Sequence, residues 1–189
     1  MRYATQSITT PLGVLEFIGE ADVESATQLS LSAATFIPSL PDGMVVAACY
    51  GVFFQVCPSN AEINVHFKAQ LHSTREVEYG AETGEGLEAQ AWRGERYVVL
   101  VGTEDAEFLQ ARLRECAVVS NDSFAYSARS ISVSLTVGRG TGPSSLHFVV
   151  AWNELPEPKE GSCWYAVDQQ HNVIAASMGM CAEPQGSTR

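Results

Sequence analysis

The chain has 189 residues, with 22 acidic side chains against 11 basic ones and a formal net charge of −11. An acidic surface repels nucleic acid and anionic membranes, so the composition disfavours both as partners and favours a partner with a basic surface. A chain of this length forms one ordinary domain and buries enough surface to need neither disulfides nor metal for stability.

The cysteines and the N-terminus favour a cytoplasmic protein. The five cysteines lie far apart, without a paired spacing such as C-x-x-C, so reduced thiols are the simplest interpretation. The first residues lack the apolar run of a signal peptide, and no apolar stretch approaches the roughly 18 residues that span a bilayer. We therefore expect no membrane insertion.

The first third of the chain predicts a strand, an ambiguous segment and then a turn. Residues 12–18 are typical of a strand that ends at Gly19. Residues 22–36 fit either a helix or a strand, because Asp22 can cap a helix while 29–32 alternate apolar and polar residues; the helix is favoured. A Pro-Asp-Gly turn then follows.

Residues 44–57 are the most apolar run and predict a central strand, with a bend at Gly51 as one option. Residues 62–71 alternate strictly and predict a strand with one solvated face. Residues 86–92 and 96–102 are typical of a hairpin.

One convincing helix follows, beginning at Thr103 with acidic residues in its first turn and with Ala106, Leu109 and Leu113 on its apolar face. Four further strands are predicted at 129–137, 146–152, 163–168 and 172–178.

The order of these elements predicts one α+β domain over residues 1–181, with a largely antiparallel sheet and one or two helices packed on it. Residues 182–189 have nothing to bury, and we expect a disordered C-terminal tail.

Several motifs suggest catalysis but fit their context poorly. Gly161 to Trp164 match most of the signature around the nucleophile of papain-like proteases, yet that cysteine opens a helix near the start of its domain, with its histidine over a hundred residues later. Here the only later histidine is His171, so Cys163 is interpreted as a buried structural residue beside a core tryptophan.

The other histidines are interpreted as residues on polar faces. His66 and His72 share a strand face but lie roughly 20 Å apart if the chain is extended, too far to share a metal. His72-Ser73-Thr74 is similar to the His-x-Thr element of two-histidine phosphoesterases, but His147-Phe148-Val149 lacks the second hydroxyl. The sequence therefore predicts no catalytic residue, cofactor or metal.

Two surface features remain. In residues 130–137 apolar residues alternate with small hydroxyls, which is typical of a solvated strand and less often of a docking or self-association surface. Residues 76–107 carry seven of the eleven net negative charges. We expect a partner-binding surface there, with Tyr and Trp anchors: Glu76, Glu78, Tyr79, Glu82, Glu85, Glu88 and Trp92.

The C-terminal segment, with Trp152-Asn153-Glu154-Leu155-Pro156 leading to Cys163-Trp164-Tyr165-Ala166-Val167-Asp168, resembles some small acidic immunity proteins that protect bacteria from contact-dependent or type VI toxins. The resemblance implies a cytoplasmic, non-enzymatic domain that blocks one toxin stoichiometrically. The alternatives are a small hydrolase or ligand-binding domain, with a histidine or Cys163 in a pocket, and a self-associating assembly protein. Both a monomer and a homodimer remain open.

Overall fold

The structure is a computed structural model, and it describes residues 2–22, 28–57, 62–84, 86–113, 116–138 and 143–179. Within these residues the strands are β1 (Arg2–Thr10), β2 (Gly13–Ala21), β3 (Gln28–Thr35), β4 (Ala48–Cys57), β5 (Ile63–His72), β6 (Glu78–Gly84), β7 (Leu87–Arg93), β8 (Tyr97–Glu104), β9 (Ala117–Val118), β10 (Phe124–Ser127), β11 (Ser130–Val137) and β12 (Ser144–Glu154). The α-helices are α1 (Ala106–Leu113), α2 (Ser162–Val167) and α3 (His171–Ser177).

The strands form two antiparallel sheets. Sheet A has the order β1-β2-β5-β11-β10, with β9 also paired to β11, and sheet B has the order β3-β4-β12-β8-β7-β6. The strand β12 lies between β4 and β8, at the centre of sheet B.

The two sheets pack face to face around the larger of two hydrophobic cores. Successive side chains of a strand point to opposite faces, so alternate residues of strands such as β2, β4, β5, β11 and β12 enter this core. Its centre is aromatic: the Phe67 ring centroid lies 4.6 Å from that of Phe148 and 5.2 Å from that of Phe54, and Phe17 packs on Phe148 at 6.1 Å.

A second core lies on the opposite face of sheet B, where α2 and α3 cover it. Alternate residues of β4 divide between the two cores, with Phe54 facing sheet A and Phe53 facing the helices. Because both faces of sheet B are buried, its central strands are continuous apolar runs.

The α+β fold class is confirmed, although the structure has two sheets and three α-helices in its described part rather than one sheet with one or two helices. The predicted strand at 62–71 and the hairpin at 86–102 are confirmed. The strand predicted at 12–18 continues through Gly19 to Ala21, because a glycine there leaves room for the Phe54 ring from sheet B.

The helix favoured for 22–36 is wrong wherever the structure describes this segment. Residues Gln28–Thr35 form β3, and 23–27 lie outside the described residues. The alternation of apolar and polar residues explains the strand. Leu29, Leu31 and Ala33 pack on the inter-sheet core, while the intervening residues face outward.

The strands predicted at 163–168 and 172–178 are also wrong, since 163–167 lie in α2, 172–177 lie in α3, and residues 168 and 178 cap these helices. The buried residues recur at the i, i+3, i+4 spacing of a helix face: Cys163, Ala166 and Val167 in α2, and His171, Ile174 and Ala175 in α3. Together the two helices cover the face of sheet B that points away from sheet A.

Helix α1 begins at Ala106, three residues after the predicted start. The Asp105 carboxylate accepts a hydrogen bond from the Phe108 amide at 2.8 Å, so Asp105 caps the helix. Glu104 therefore remains in β8. The predicted tail, 182–189, lies outside the described residues, and among those described no helix combines the length and apolarity needed to cross a membrane.

Candidate functional site

The predicted partner-binding residues lie around β6, the strand at one edge of sheet B. Among the residues that the structure describes, this strand pairs with β7 alone, so its outer backbone N–H and C=O groups face no described strand. Glu76, Glu78 and Tyr79 are exposed, and Tyr79 keeps 60% of its surface accessible. A strand edge, acidic side chains and an accessible aromatic ring thus occur together.

The strand register divides the predicted acidic residues between two faces. Glu82 lies opposite Ala89 and Glu88 lies opposite Thr83 in the β6–β7 pair. Because adjacent residues of a strand point to opposite faces, Glu82 and Glu88 are on opposite sides of sheet B. Glu88 instead accepts a hydrogen bond from the Tyr126 hydroxyl of sheet A. Glu88 is therefore engaged with sheet A rather than available to a partner, and Glu85 lies outside the described residues.

The structure corrects the role expected for Trp92. Its side chain is completely buried in the inter-sheet core, and its indole Nε1–H donates a hydrogen bond to the Ala128 carbonyl at 3.0 Å. Trp92 lies directly opposite Tyr79 in the β6–β7 register. It fixes the strand that supports Tyr79 and makes no surface for a partner.

A shallow concave surface of about 210 Å³ lies on the helix side of this edge, lined by Glu78, Tyr79, Gly80, Glu82, Ala91 and Arg93. Arg93 lies 3.3 Å from Glu82 and partly neutralises it. The exposed acidic charge at the edge is therefore concentrated on Glu76 and Glu78. Glu78 points to the helix side of sheet B, whereas Tyr79, opposite Trp92, points to the side of sheet A, so the two side chains flank the open strand edge. We call Glu76, Glu78 and Tyr79, together with β6, the acidic edge.

The hydroxyl-bearing strand, β11, is an interior strand of sheet A between β5 and β10. Ser134 is exposed, as expected for a solvated face, but Ser132 keeps only 7% of its surface accessible. A groove of about 470 Å³ crosses this face. Its lining combines apolar surface from Ala21, Val65, Val118 and Leu135 with polar residues: Glu20, Asp22, Asn64, His66, Ser120, Ser123, Ser134 and Thr136.

The two histidines of β5 act locally, as the sequence indicated. The His66 Nδ1 atom lies 2.9 Å from the Ser134 hydroxyl at the groove, and burial lowers its pKa. His72 pairs with Glu16 at 2.9 Å at the other end of the strand. They share no partner.

Cys163 is buried, as predicted, although it lies in a helix. Only 1% of its surface is accessible, and burial, reinforced by the neighbouring Glu157 carboxylate, raises the pKa of the thiol well above its usual range. The Glu157 carboxylate also accepts a hydrogen bond from the Cys163 amide at 2.9 Å, which fixes the start of α2. A nucleophile requires an accessible thiolate, so this arrangement does not support catalysis by Cys163.

A buried polar cluster that the sequence did not predict lies at the end of β8. The ligand atoms of Glu104, His147 and His171 all lie within 4.8 Å of one another. The Nδ1 atoms of the two histidines are 2.9 Å apart, and His147 Nδ1 lies 3.9 Å from Glu104 Oε2. This is the set of described residues whose side chains can hold a metal ion.

The cluster is held by two neighbouring side chains, Arg112 and Ser145. The Arg112 side chain of α1 donates to Glu104, with Nε 2.9 Å from Oε2, and the Ser145 hydroxyl lies 2.9 Å from His171 Nε2. Burial lowers the pKa of both histidines far below its usual range, and the nearby Arg112 charge lowers it further. Both imidazoles are therefore neutral at neutral pH.

Long sequence separation hides this cluster. The two histidines are 24 residues apart, and the sequence places His147 in a predicted strand but His171 in the turn between two others. The one available signal is the register: the β8–β12 pairing, continued two residues past Val149↔Gly102, places Glu104 opposite His147.

Comparisons of the chain with protein-family models, with curated proteins and with solved structures found no match.

Proposed function

We propose that this protein is a stoichiometric inhibitor of the immunity-protein type, which binds a basic surface of a toxin domain through its acidic edge. The observation that carries the proposal is the open edge of β6, where Tyr79 is 60% exposed beside Glu76 and Glu78. Exposed edge strands are normally protected, and this one combines an available backbone with an aromatic side chain.

Each component of the acidic edge has a separate role in the proposed complex. The Glu76 and Glu78 carboxylates attract a basic partner and raise the association rate, since charges at the rim act mainly on encounter. Tyr79 supplies a rigid aromatic anchor that slows dissociation. The β6 backbone offers hydrogen bonds to a strand of the partner, and buried Trp92 keeps β6 in place beneath Tyr79.

The test is a binding measurement between the purified chain and the products of the genes adjacent to its own. We expect a 1:1 complex with one of them, whose association slows as salt rises, because exposed charges are screened over about 10 Å at 0.1 M ionic strength. Glu76→Lys with Glu78→Lys should slow association, and Tyr79→Ala should weaken affinity by about tenfold or more through faster dissociation.

Glu62→Lys is the matched control, because Glu62 is equally exposed but precedes β5 in sheet A. It changes the net charge without touching the acidic edge and should leave both rates close to those of the parent. Equal effects of Glu62→Lys and Glu78→Lys would show that net charge alone matters, and unchanged affinity in Tyr79→Ala would contradict docking at this edge.

Small-ligand binding is a second candidate, favoured by the groove of about 470 Å³ on sheet A. Its hydroxyl, amide and carboxylate lining suits a polar ligand that makes many hydrogen bonds. Ser134→Lys would place a long charged side chain in the lining of the groove and should abolish such binding while leaving the acidic edge intact. A panel of neutral saccharides, followed by amide chemical shifts, tests this candidate.

A further inference from the structure

The cluster of Glu104, His147 and His171 has the composition and nearly the spacing of a metal site. Zinc-type ions bind imidazole nitrogen and carboxylate oxygen at about 2.0–2.2 Å, so two tetrahedral ligand atoms lie roughly 3.4 Å apart. The His147–His171 nitrogen distance is 2.9 Å and the His147–Glu104 distance is 3.9 Å, on either side of that value. Side-chain shifts of about half an ångström convert one arrangement into the other.

Hydrogen bonding within the protein leaves one ring nitrogen of the cluster without a partner. A single proton can lie between the two facing Nδ1 atoms, and His147 Nε2 is buried without a hydrogen-bond partner whichever histidine carries that proton. A metal ion bound at the two Nδ1 atoms would take the place of this shared proton and fix the proton of each neutral ring on Nε2, although it would not contact His147 Nε2. Apolar side chains of similar size would pack here at lower cost, so packing alone does not account for the cluster.

The surrounding residues orient the cluster as the outer partners of a metal site do. The Ser145 hydroxyl engages His171 Nε2, which directs the opposite nitrogen, Nδ1, toward Glu104 and His147. Arg112 holds the Glu104 carboxylate in position and neutralises it while no other cation is present. A bound ion would compete with Arg112 for Glu104 Oε2.

We propose that Glu104, His147 and His171 bind one divalent transition-metal ion of the zinc class, completed by a small solvent-derived ligand. The histidines keep 1% and 8% of their surface, and the Glu104 side chain keeps 11%, so the site is almost closed. Closed sites are structural, whereas catalytic sites keep an open position for substrate. The ion ties α3 to β8 and β12, independently of the proposed partner binding.

The experiment is a titration of the chelator-treated full chain with Co²⁺, followed by displacement with Zn²⁺. We expect one equivalent of Co²⁺ with visible d–d absorption and no sulfur charge-transfer band, because nitrogen and oxygen ligate it. The urea midpoint of unfolding should rise with Zn²⁺ concentration, as mass action requires, and fall again with chelator. Arg112→Met should bind Co²⁺ more tightly, since it removes the competing cation.

His171→Gln should lose this equivalent, whereas His72→Gln, an exposed histidine of sheet A, should keep it. Circular dichroism checks that each variant is folded. If His171→Gln does not fold, the stoichiometry and absorption spectrum of Co²⁺ bound to the parent protein test the proposal by themselves. No saturable equivalent in the parent, a thiolate-type spectrum, or undiminished binding by folded His171→Gln would overturn the proposal.

Discussion

Replacing Gly19 with alanine should destabilise the sandwich, because the added methyl group meets a fully buried ring. A Cβ atom at Gly19 would lie 2.5 Å and 2.8 Å from the Cδ2 and Cζ atoms of Phe54, which has no accessible surface. Phe54 cannot retreat freely, since its ring packs against Phe67, which packs in turn against Phe148. The substitution therefore overpacks the centre of the larger core.

The expected magnitude combines two opposing effects. Overpacking a well-packed core costs about 1–3 kcal/mol, while replacing glycine by alanine stiffens the unfolded chain and returns about 0.4–1 kcal/mol. The net loss should be about 1–2 kcal/mol in the free energy of unfolding. For a chain of this size it lowers the melting temperature by roughly 2–8 °C.

Urea unfolding followed by circular dichroism measures this loss, with Gly80→Ala as the control. A Cβ at Gly80 would have nothing within 4 Å, so that variant should be as stable as the parent or slightly more stable. In a Phe54→Leu background the same Gly19→Ala change should cost at least about 0.5 kcal/mol less, because the two sites are in contact. A loss that is equal in both backgrounds, or absent in the parent, would refute the steric explanation.

Three further predictions test the fold and its buried groups. Cys163 should react with thiol reagents only as fast as the protein opens, measured by mass spectrometry against denatured chain; rapid stoichiometric labelling of native protein would contradict its burial and raised pKa. Ser134→Lys should change stability by no more than about 0.5 kcal/mol, whereas Ser132→Lys should cost about 2 kcal/mol, and equal urea midpoints would contradict the different burial of the two serines. Asn153→Ala should cost about 1–3 kcal/mol and hasten proteolysis of residues 44–47, because the Asn153 side chain bonds the Ala47 amide and the Val45 carbonyl, each at 2.8 Å; an unchanged cleavage rate would count against this tie.

The strands with one buried face were the most predictable part of the fold. In β5 the burial of Ile63, Val65 and Phe67 alternates with more accessible residues, and a period of two indicates a strand. In β1 only Ile8 and Thr10 are buried, so its sequence carried too weak a pattern to predict a strand. The helices of the second core are six and seven residues long, too short for the helical period to be separated from alternation.

Composition predicted where acidic charge concentrates along the chain but not how strand geometry distributes it. Charge counting located the acidic segment, and the structure leaves Glu78 and Tyr79 exposed there. Composition does not reveal strand register, which places Glu88 on the opposite face from Glu82. Composition also does not show which face of a strand another sheet covers. For that reason it did not reveal that Trp92 is a core residue.

The central position of β12 has a consequence for synthesis of the protein on the ribosome. Strands β4 and β8 both pair with β12 and reach each other only through it. Until residues 144–154 have been made, sheet B consists of two separate pieces. The strands that carry Val52 and Val101 then cannot form one continuous apolar surface. At about 5–20 residues per second, the interval between the emergence of β8 and that of β12 lasts several seconds. During that time the nascent chain displays open strand edges, and a factor that shields them would raise the yield of folded protein.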